Sequence, residues 1–145
     1  METIKIKKLN NGAIIPTKGS VGAAGYDLYA CIESPITIQA HCTEKVGTGI
    51  AVELPDGYFG AIFARSGLST KSGLRPANCV GVCDSDYRGE YIVALHNDMD
   101  EAKDVVPGER IAQLVFMPYL PIKFEEVEDL NRTKRGICGF GSTGE

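Results

Sequence analysis

Lys45-Val46-Gly47-Thr48-Gly49-Ile50-Ala51-Val52-Glu53-Leu54-Pro55-Asp56-Gly57-Tyr58-Phe59-Gly60-Ala61-Ile62-Phe63-Ala64 decides the fold. Two apolar-rich runs, 45–54 and 58–64, flank Leu54-Pro55-Asp56-Gly57. Each run is short and rich in the β-branched and aromatic residues that suit a pleated, half-buried surface. The tetrapeptide between them is a turn with a mechanism: proline presets φ, and Asp-Gly tolerates the tight corner. Strand, turn, strand is the unit this stretch predicts.

The same pattern extends in both directions. Residues 3–9 alternate, and 26–30, 91–95 and 111–119 also read as strands. Val106-Pro107-Gly108-Glu109 supplies another turn. Helical periodicity is nearly absent, apart from one short helix expected over 66–71, with Ser66 as its cap and Gly73 as its end. Many short strands with regular turns predict an all-β sandwich or barrel. The 145 residues suffice for one domain, with no internal repeat and no linker. A chain of this size buries about 70% of its unfolded surface, so a sizeable core is possible. The last fifteen residues, 131–145, carry four glycines and little apolar content. Such a segment buries too little surface to offset its ordering entropy, which predicts a mobile lid.

Composition narrows the function classes. The 43% apolar and 23% charged content is that of a soluble globular protein. No apolar run approaches the roughly 20 residues that span a bilayer. The start, Met1-Glu2-Thr3-Ile4-Lys5-Ile6-Lys7-Lys8, alternates instead of forming the apolar block of a signal peptide. An intracellular protein is expected, in the cytoplasm or, in a eukaryotic or viral setting, the nucleus. A net charge of −4 speaks against a nucleic-acid surface or a polybasic membrane patch. Any polyanionic ligand would need local cations, backbone N–H groups and a metal ion. The five cysteines, Cys31, Cys42, Cys79, Cys83 and Cys138, read as free thiols. Zinc held by Cys79 and Cys83 with His41 or His96 is the alternative, but no C-x-x-C and no second ligand pair supports it.

Several segments carry groups suited to chemistry. Asp27 is a lone acid in an apolar run, Ala24-Gly25-Tyr26-Asp27-Leu28, where it is costly unless paired. Ala64-Arg65-Ser66-Gly67-Leu68-Ser69 puts Arg and Ser at a helix start, a place that suits anions as well as an ordinary cap. Residues 78–89 could fold as a hairpin that gathers Asn78, Asp84, Asp86 and Tyr87 near its bend, though a solvated acidic turn is the commoner outcome. Gln113 is a polar residue amid apolar ones and would ordinarily face outward. In the tail, Gly139-Phe140-Gly141-Ser142-Thr143-Gly144 lets successive N–H groups curl around an anion, with Arg135 adding a bidentate fork. Alone, each signal is weak.

In order, these segments resemble the five motifs of the trimeric deoxyuridine triphosphatase family. They are Ala24–Leu28, Ala64–Ser69, Gly81–Glu90, Gly108–Leu114 and Arg135–Gly144, and the match runs from about residue 20 to the C-terminus. The resemblance implies a distorted jelly-roll β-barrel with one short helix, residues 1–130 forming the barrel and 131–145 a flexible lid. It implies hydrolysis of dUTP to dUMP and pyrophosphate, which keeps uracil out of DNA and supplies dUMP for thymidylate synthesis. It implies a homotrimer whose active sites are built from all three chains, with Mg2+ as cofactor and neither nucleic acid nor membrane as partner. Asp84 would hold the water that attacks the α-phosphorus, and Asp27 would order the magnesium ion through water. Ser66 and Gln113 would hold the α–β region, with Arg65 and Gly67 beside them. Asn78 and the hairpin backbone, Gly81 and Val82 included, would read uracil, while Tyr87 would press on the deoxyribose. Arg135, Phe140, Gly141, Ser142 and Thr143 would close from another subunit, with Phe140 stacked on the base.

General physics suits these roles. Phosphoryl transfer needs positioning and charge neutralisation more than covalent help. Stacking on a base is worth roughly 1–3 kcal/mol and does not tell bases apart. Hairpin N–H and C=O groups cannot flip as an amide can, so they reject a mispaired base. A tyrosine ring against the sugar leaves no room for a 2′-hydroxyl. Two positions depart from the family's pattern: Cys83 replaces a branched aliphatic residue, and Cys138 replaces a glycine, where a positive φ would carry strain. Two rival readings are a related dCTP deaminase, for which a longer chain is expected, and a non-catalytic trimeric β-module.

Overall fold

Glycine and proline place the chain reversals. In the computed structural model, which describes residues 3–139, Gly57 adopts φ +83° and Gly108 φ +77°. Both sit at the turns the sequence predicts, where the absence of a Cβ makes a positive φ free of steric cost. Between the reversals run β1 (Lys5–Lys8), β2 (Thr17–Lys18), β3 (Tyr26–Tyr29), β4 (Ile36–Ile38), β5 (Thr43–Gly47), β6 (Ile50–Glu53) and β7 (Tyr58–Phe63). Helix α1 (Ser66–Ser72) follows, then β8 (Leu74–Pro76), β9 (Gly81–Cys83), β10 (Ile92–Asn97), β11 (Lys103–Val105) and β12 (Arg110–Pro118).

All pairings among the described residues are antiparallel. A five-stranded sheet runs β2-β3-β12-β7-β9, a three-stranded one β5-β10-β8, and two-stranded ones join β1 to β6 and β4 to β11. The sheets form a distorted jelly-roll β-barrel around one apolar core. Leu28, Ile38, Val46, Ile50, Leu95, Val105, Ile111 and Leu114 are among its fully buried members, and every sheet contributes to it. β10 shows the period-2 logic plainly: Val93, Leu95 and Asn97 face in, while Ile92, Ala94 and His96 face out. Asn97 is buried but satisfied. Its amide donates to Ile38, Gln39 and Glu101 carbonyls, and its Oδ1 accepts from Met99 N–H.

Two expectations need correction. Residues 45–54 are two strands, not one, because Gly49 at φ +67° breaks the run. Ser66 is the first helical residue; Arg65 holds the N-cap position with no side-chain capping bond, while Gly73 ends the helix in the left-handed region as expected. In this conformation Cys138 does not adopt a positive φ, whereas Gly136 does, at φ +55°. Residues 131–139 form neither strand nor helix and lie exposed. Cys83 faces the core and Cys79 faces solvent, so the two thiols point apart. No helix among the described residues is long and apolar enough to cross a membrane.

Candidate active site

Two concavities hold the residues singled out from the sequence. The first, of about 470 Å³, is lined by Asp27, Arg65, Ser66, Gly67, Arg110 and Gln113, with Gly25 at its edge. Asp27 sits on β3 opposite Gln113 of β12, and Gln113 in turn lies opposite Phe63 at the end of β7. The chain leaves β7 and enters α1 within three residues, which brings Arg65, Ser66 and Gly67 to the same end of the sheet.

Asp27 is the electrostatic centre of this half. Its Oδ1 accepts from Arg65 Nε at 2.7 Å, and its Oδ2 from Arg110 Nη1 at 3.3 Å. The pairing answers the cost of an acid in an apolar strand: the carboxylate side chain is only 14% exposed, yet both its oxygens are partnered. Two arginines against one aspartate leave the concavity locally cationic, although the chain as a whole is acidic. Gln113 does not point to bulk solvent. Its Nε2 donates to Ala64 C=O at 2.8 Å, which leaves the second amide hydrogen free for a ligand. Ser66 keeps its hydroxyl without a partner among the described residues, and the N–H groups of the first helical turn have no intrahelical acceptor.

The second concavity, of about 250 Å³, is lined by Asn78, Gly81, Val82, Cys83, Asp84 and Tyr87, with Glu90 and Tyr91 at its back. β9 is the outer strand of the five-stranded sheet, so one of its edges has backbone donors and acceptors with no strand to pair. Asp84 follows directly after it and is exposed, with no side-chain partner among the described residues. Tyr87 N–H donates to Asp84 C=O at 3.2 Å, the turn that closes the hairpin. Burial pushes the Cys83 thiol up to about 11, so it stays protonated and inert beneath the hairpin.

The structure therefore gathers Asp27, Arg65, Ser66, Gly67 and Gln113 in one place and Asn78, Gly81, Val82, Asp84 and Tyr87 in another, with no lining residue in common. It brings Arg135 to neither; that side chain donates to Cys138 C=O within the tail at 2.9 Å. Phe140, Gly141, Ser142 and Thr143 lie outside the described residues. Arg110 was missed by sequence reasoning for a physical reason. It stands three positions before Gln113, and in a regular strand that odd spacing points the two side chains to opposite faces. A bulge between Arg110 and Ala112 shifts the register, and Ile111 and Ala112 are consecutively buried as a result. Arg110 thus turns to the face of Asp27. Glu90, Gly89 and Tyr91 were missed as well, since nothing local ties them to Tyr87.

A metal ion finds no all-protein cage here: no group of three or more His, Cys, Asp and Glu among the described residues is placed to hold one. Asp27 is the one carboxylate among the described residues that line the first concavity. Each of its oxygens keeps a second lone pair beyond its arginine bond. That fits a hydrated magnesium ion shared with phosphate oxygens, which typically needs only one or two carboxylates.

The chain is similar to known proteins along nearly its whole length. The profile of one family, described as dUTPase, matches residues 11–144. The deoxyuridine 5′-triphosphate nucleotidohydrolase of Desulfitobacterium hafniense (strain DSM 10664 / DCB-2) is 46% identical to the chain over 149 aligned positions, covering 99% of each. The mitochondrial deoxyuridine 5′-triphosphate nucleotidohydrolase of Dictyostelium discoideum is 44% identical, covering 99% of this chain and 78% of its own length. Among solved structures, the dUTPase of Staphylococcus bacteriophage 80alpha with dUPNHPP superposes with a TM-score of 0.90 at 27% identity over the full length of both chains.

Proposed function

The chain belongs to the dUTPase family and hydrolyses dUTP to dUMP and pyrophosphate, and we propose that Asp84-activated water attacks the α-phosphorus in a site shared between chains. Asp84 takes a proton from water as the oxygen bonds to the α-phosphorus. The bond from that phosphorus to the bridging oxygen breaks, and pyrophosphate leaves. An exposed carboxylate with no competing partner among the described residues supports this role for Asp84. Asn78 and the free edge of β9 read uracil, and Tyr87 faces the deoxyribose. Arg65, Ser66, Gly67 and Gln113 hold the phosphates, and Arg110 joins them. Asp27 is the residue to hold magnesium, through water; the bound ion supplies charge neutralisation on phosphate oxygens. Phe140 closes over the base and Arg135, Gly141, Ser142 and Thr143 over the phosphates when the tail folds down.

The observation that carries this reading is the division of the site. The groups assigned to base reading and to phosphate holding line separate concavities that share no residue, which suits a site completed by a second copy. The segment after β12 supports assembly with further copies, which is what the proposed trimer requires. Leu120, Ile122 and Phe124 alternate along it, each at least 71% exposed, and find no strand to pair with on their own chain. β1 has an unpaired edge beside an apolar groove lined by Ile4, Ile6 and Phe116. The acidic run Glu125-Glu126-Val127-Glu128-Asp129 complements the basic Lys5-Ile6-Lys7-Lys8 of that edge. The five free thiols suit an intracellular, reducing compartment, cytoplasm or nucleus.

Hydrolysis in ¹⁸O-labelled water tests the chemistry. Label in dUMP supports attack at the α-phosphorus, and label in pyrophosphate refutes it. Asp84→Asn should lower kcat by roughly 10²- to 10⁴-fold, the range of a lost general base. A nucleotide panel of dUTP, dTTP, dCTP and UTP, scored for pyrophosphate and ammonia, tests specificity; ammonia from dCTP would contradict the reading.

A further inference from the structure

We propose that Tyr91 is a positioning residue for sugar selection: its buried ring fixes Tyr87, and through Tyr87 it sets the preference for dUTP over UTP. This rests on the reading that Tyr87 faces the deoxyribose. The two rings stack with centroids 6.2 Å apart and planes 25° from parallel. Tyr87 is 44% exposed, whereas Tyr91 is 1% exposed. Tyr91 is also the anchored member. Its N–H donates to Ile50 C=O at 2.9 Å, and its own C=O accepts from the Thr48 hydroxyl.

Two further restraints hold Tyr87 against that ring. Its hydroxyl donates to Glu90 C=O at 3.0 Å, and the Glu90 carboxylate is itself fixed by Gly49 N–H at 2.7 Å. Gly89 leaves the space: a Cβ there would meet Tyr87 Cε2 at 2.8 Å and Cζ at 2.5 Å. The exclusion of a 2′-hydroxyl is steric, so it depends on where the Tyr87 ring is held to within tenths of an ångström. The Tyr91 hydroxyl is buried and lies beside the Cys83 thiol rather than against Tyr87, so what residue 91 offers Tyr87 is the flat face of its ring.

The test compares kcat/KM for dUTP and UTP in wild type, Tyr91→Leu, Tyr91→Phe and Tyr87→Ala, with UTP also scored as an inhibitor of dUTP hydrolysis. The ratio of the two nucleotides cancels the folded fraction, so a merely structural role would not move it. Tyr91→Leu should narrow the dUTP preference by roughly 2- to 13-fold, the factor an aromatic pair contributes. It should raise KM for dUTP more than it lowers kcat. Tyr91→Phe should restore the wild-type ratio, because it keeps the ring. Tyr91→Met stands in if the leucine variant does not fold. A wild-type ratio in the aliphatic variant while Tyr87→Ala relaxes selection would overturn the proposal, as would a phenylalanine variant as relaxed as the leucine one. Unchanged selection in Tyr87→Ala would instead remove the sugar-facing role of Tyr87, and the proposal with it.

Discussion

Gly25→Ala is the smallest change that should disable the phosphate half of the site. An added Cβ would lie 2.5 Å from Gln113 Oε1, about 0.9 Å short of the 3.4 Å at which ordinary contact begins. The backbone has no objection, since Gly25 does not adopt a positive φ. The Gln113 amide must give way, because it is the end of a flexible side chain. A shift near 0.9 Å along its 2.8 Å bond to Ala64 C=O takes that bond past about 3.5 Å and breaks it. The stability cost is one hydrogen bond, about 0.5–1.5 kcal/mol. The lower chain entropy of unfolded alanine offsets about 0.4–1 kcal/mol of that. The melting temperature should therefore fall by no more than a few degrees. The catalytic cost is larger, since a misplacement near 1 Å can lower the rate by about 10²-fold. Pyrophosphate release from dUTP should thus drop by about two orders of magnitude in a protein that melts nearly as wild type does. Turnover within twofold of wild type would refute the placement of Gln113 against the substrate, and a comparable loss of stability would refute the steric argument.

Arg110→Ala should lower kcat/KM for dUTP roughly tenfold or more, the effect of a lost charge-assisted bond, with KM carrying most of it; an unchanged KM in steady-state assays would remove Arg110 from phosphate binding. EDTA should slow hydrolysis and added Mg2+ restore it, and indifference to chelation would remove the metal from the reaction. Deletion of residues 134–145 should leave a folded protein by circular dichroism with little turnover, and an undiminished rate would exclude the tail as a lid. Burial raises the Cys83 thiol from 9.0 to about 11, so unfolding above pH 9 releases its proton. Stability from this site is complete below pH 9 and is lost as pH rises through 11. Thermal melts of Cys83→Val should be less sensitive over that window than those of wild type, and equal sensitivity would assign the alkaline loss elsewhere.

Much of the candidate site could be read from short segments. The turn at Pro55-Asp56-Gly57, the edge hairpin after Asn78 and the arginine-serine start of α1 each follow from residues within a few positions of one another. The pairing demanded by a lone acid in an apolar strand was also visible, and Asp27 is indeed paired. What local reading missed has a common feature. Arg110 depends on a bulge, Gln113 on the carbonyl of Ala64 across the sheet, and Gly25 on the depth of the Gln113 side chain. Tyr91 depends on a stack with Tyr87 over a hairpin whose glycine makes room for it.

By itself the amino-acid sequence determined that the chain would be all-β with one short helix, where several of its turns would fall, and which groups were available for chemistry. Those properties arise from alternation and backbone preference, which act over a few residues and need no partner. Tertiary structure alone decided which of those groups would meet. Strand register, a single bulge in β12 and the edge position of β9 are set by what each strand pairs with, and no segment carries that information alone. The same physics put the two groups of candidate residues in separate concavities that share no lining residue and left Asp27 held between two arginines rather than one.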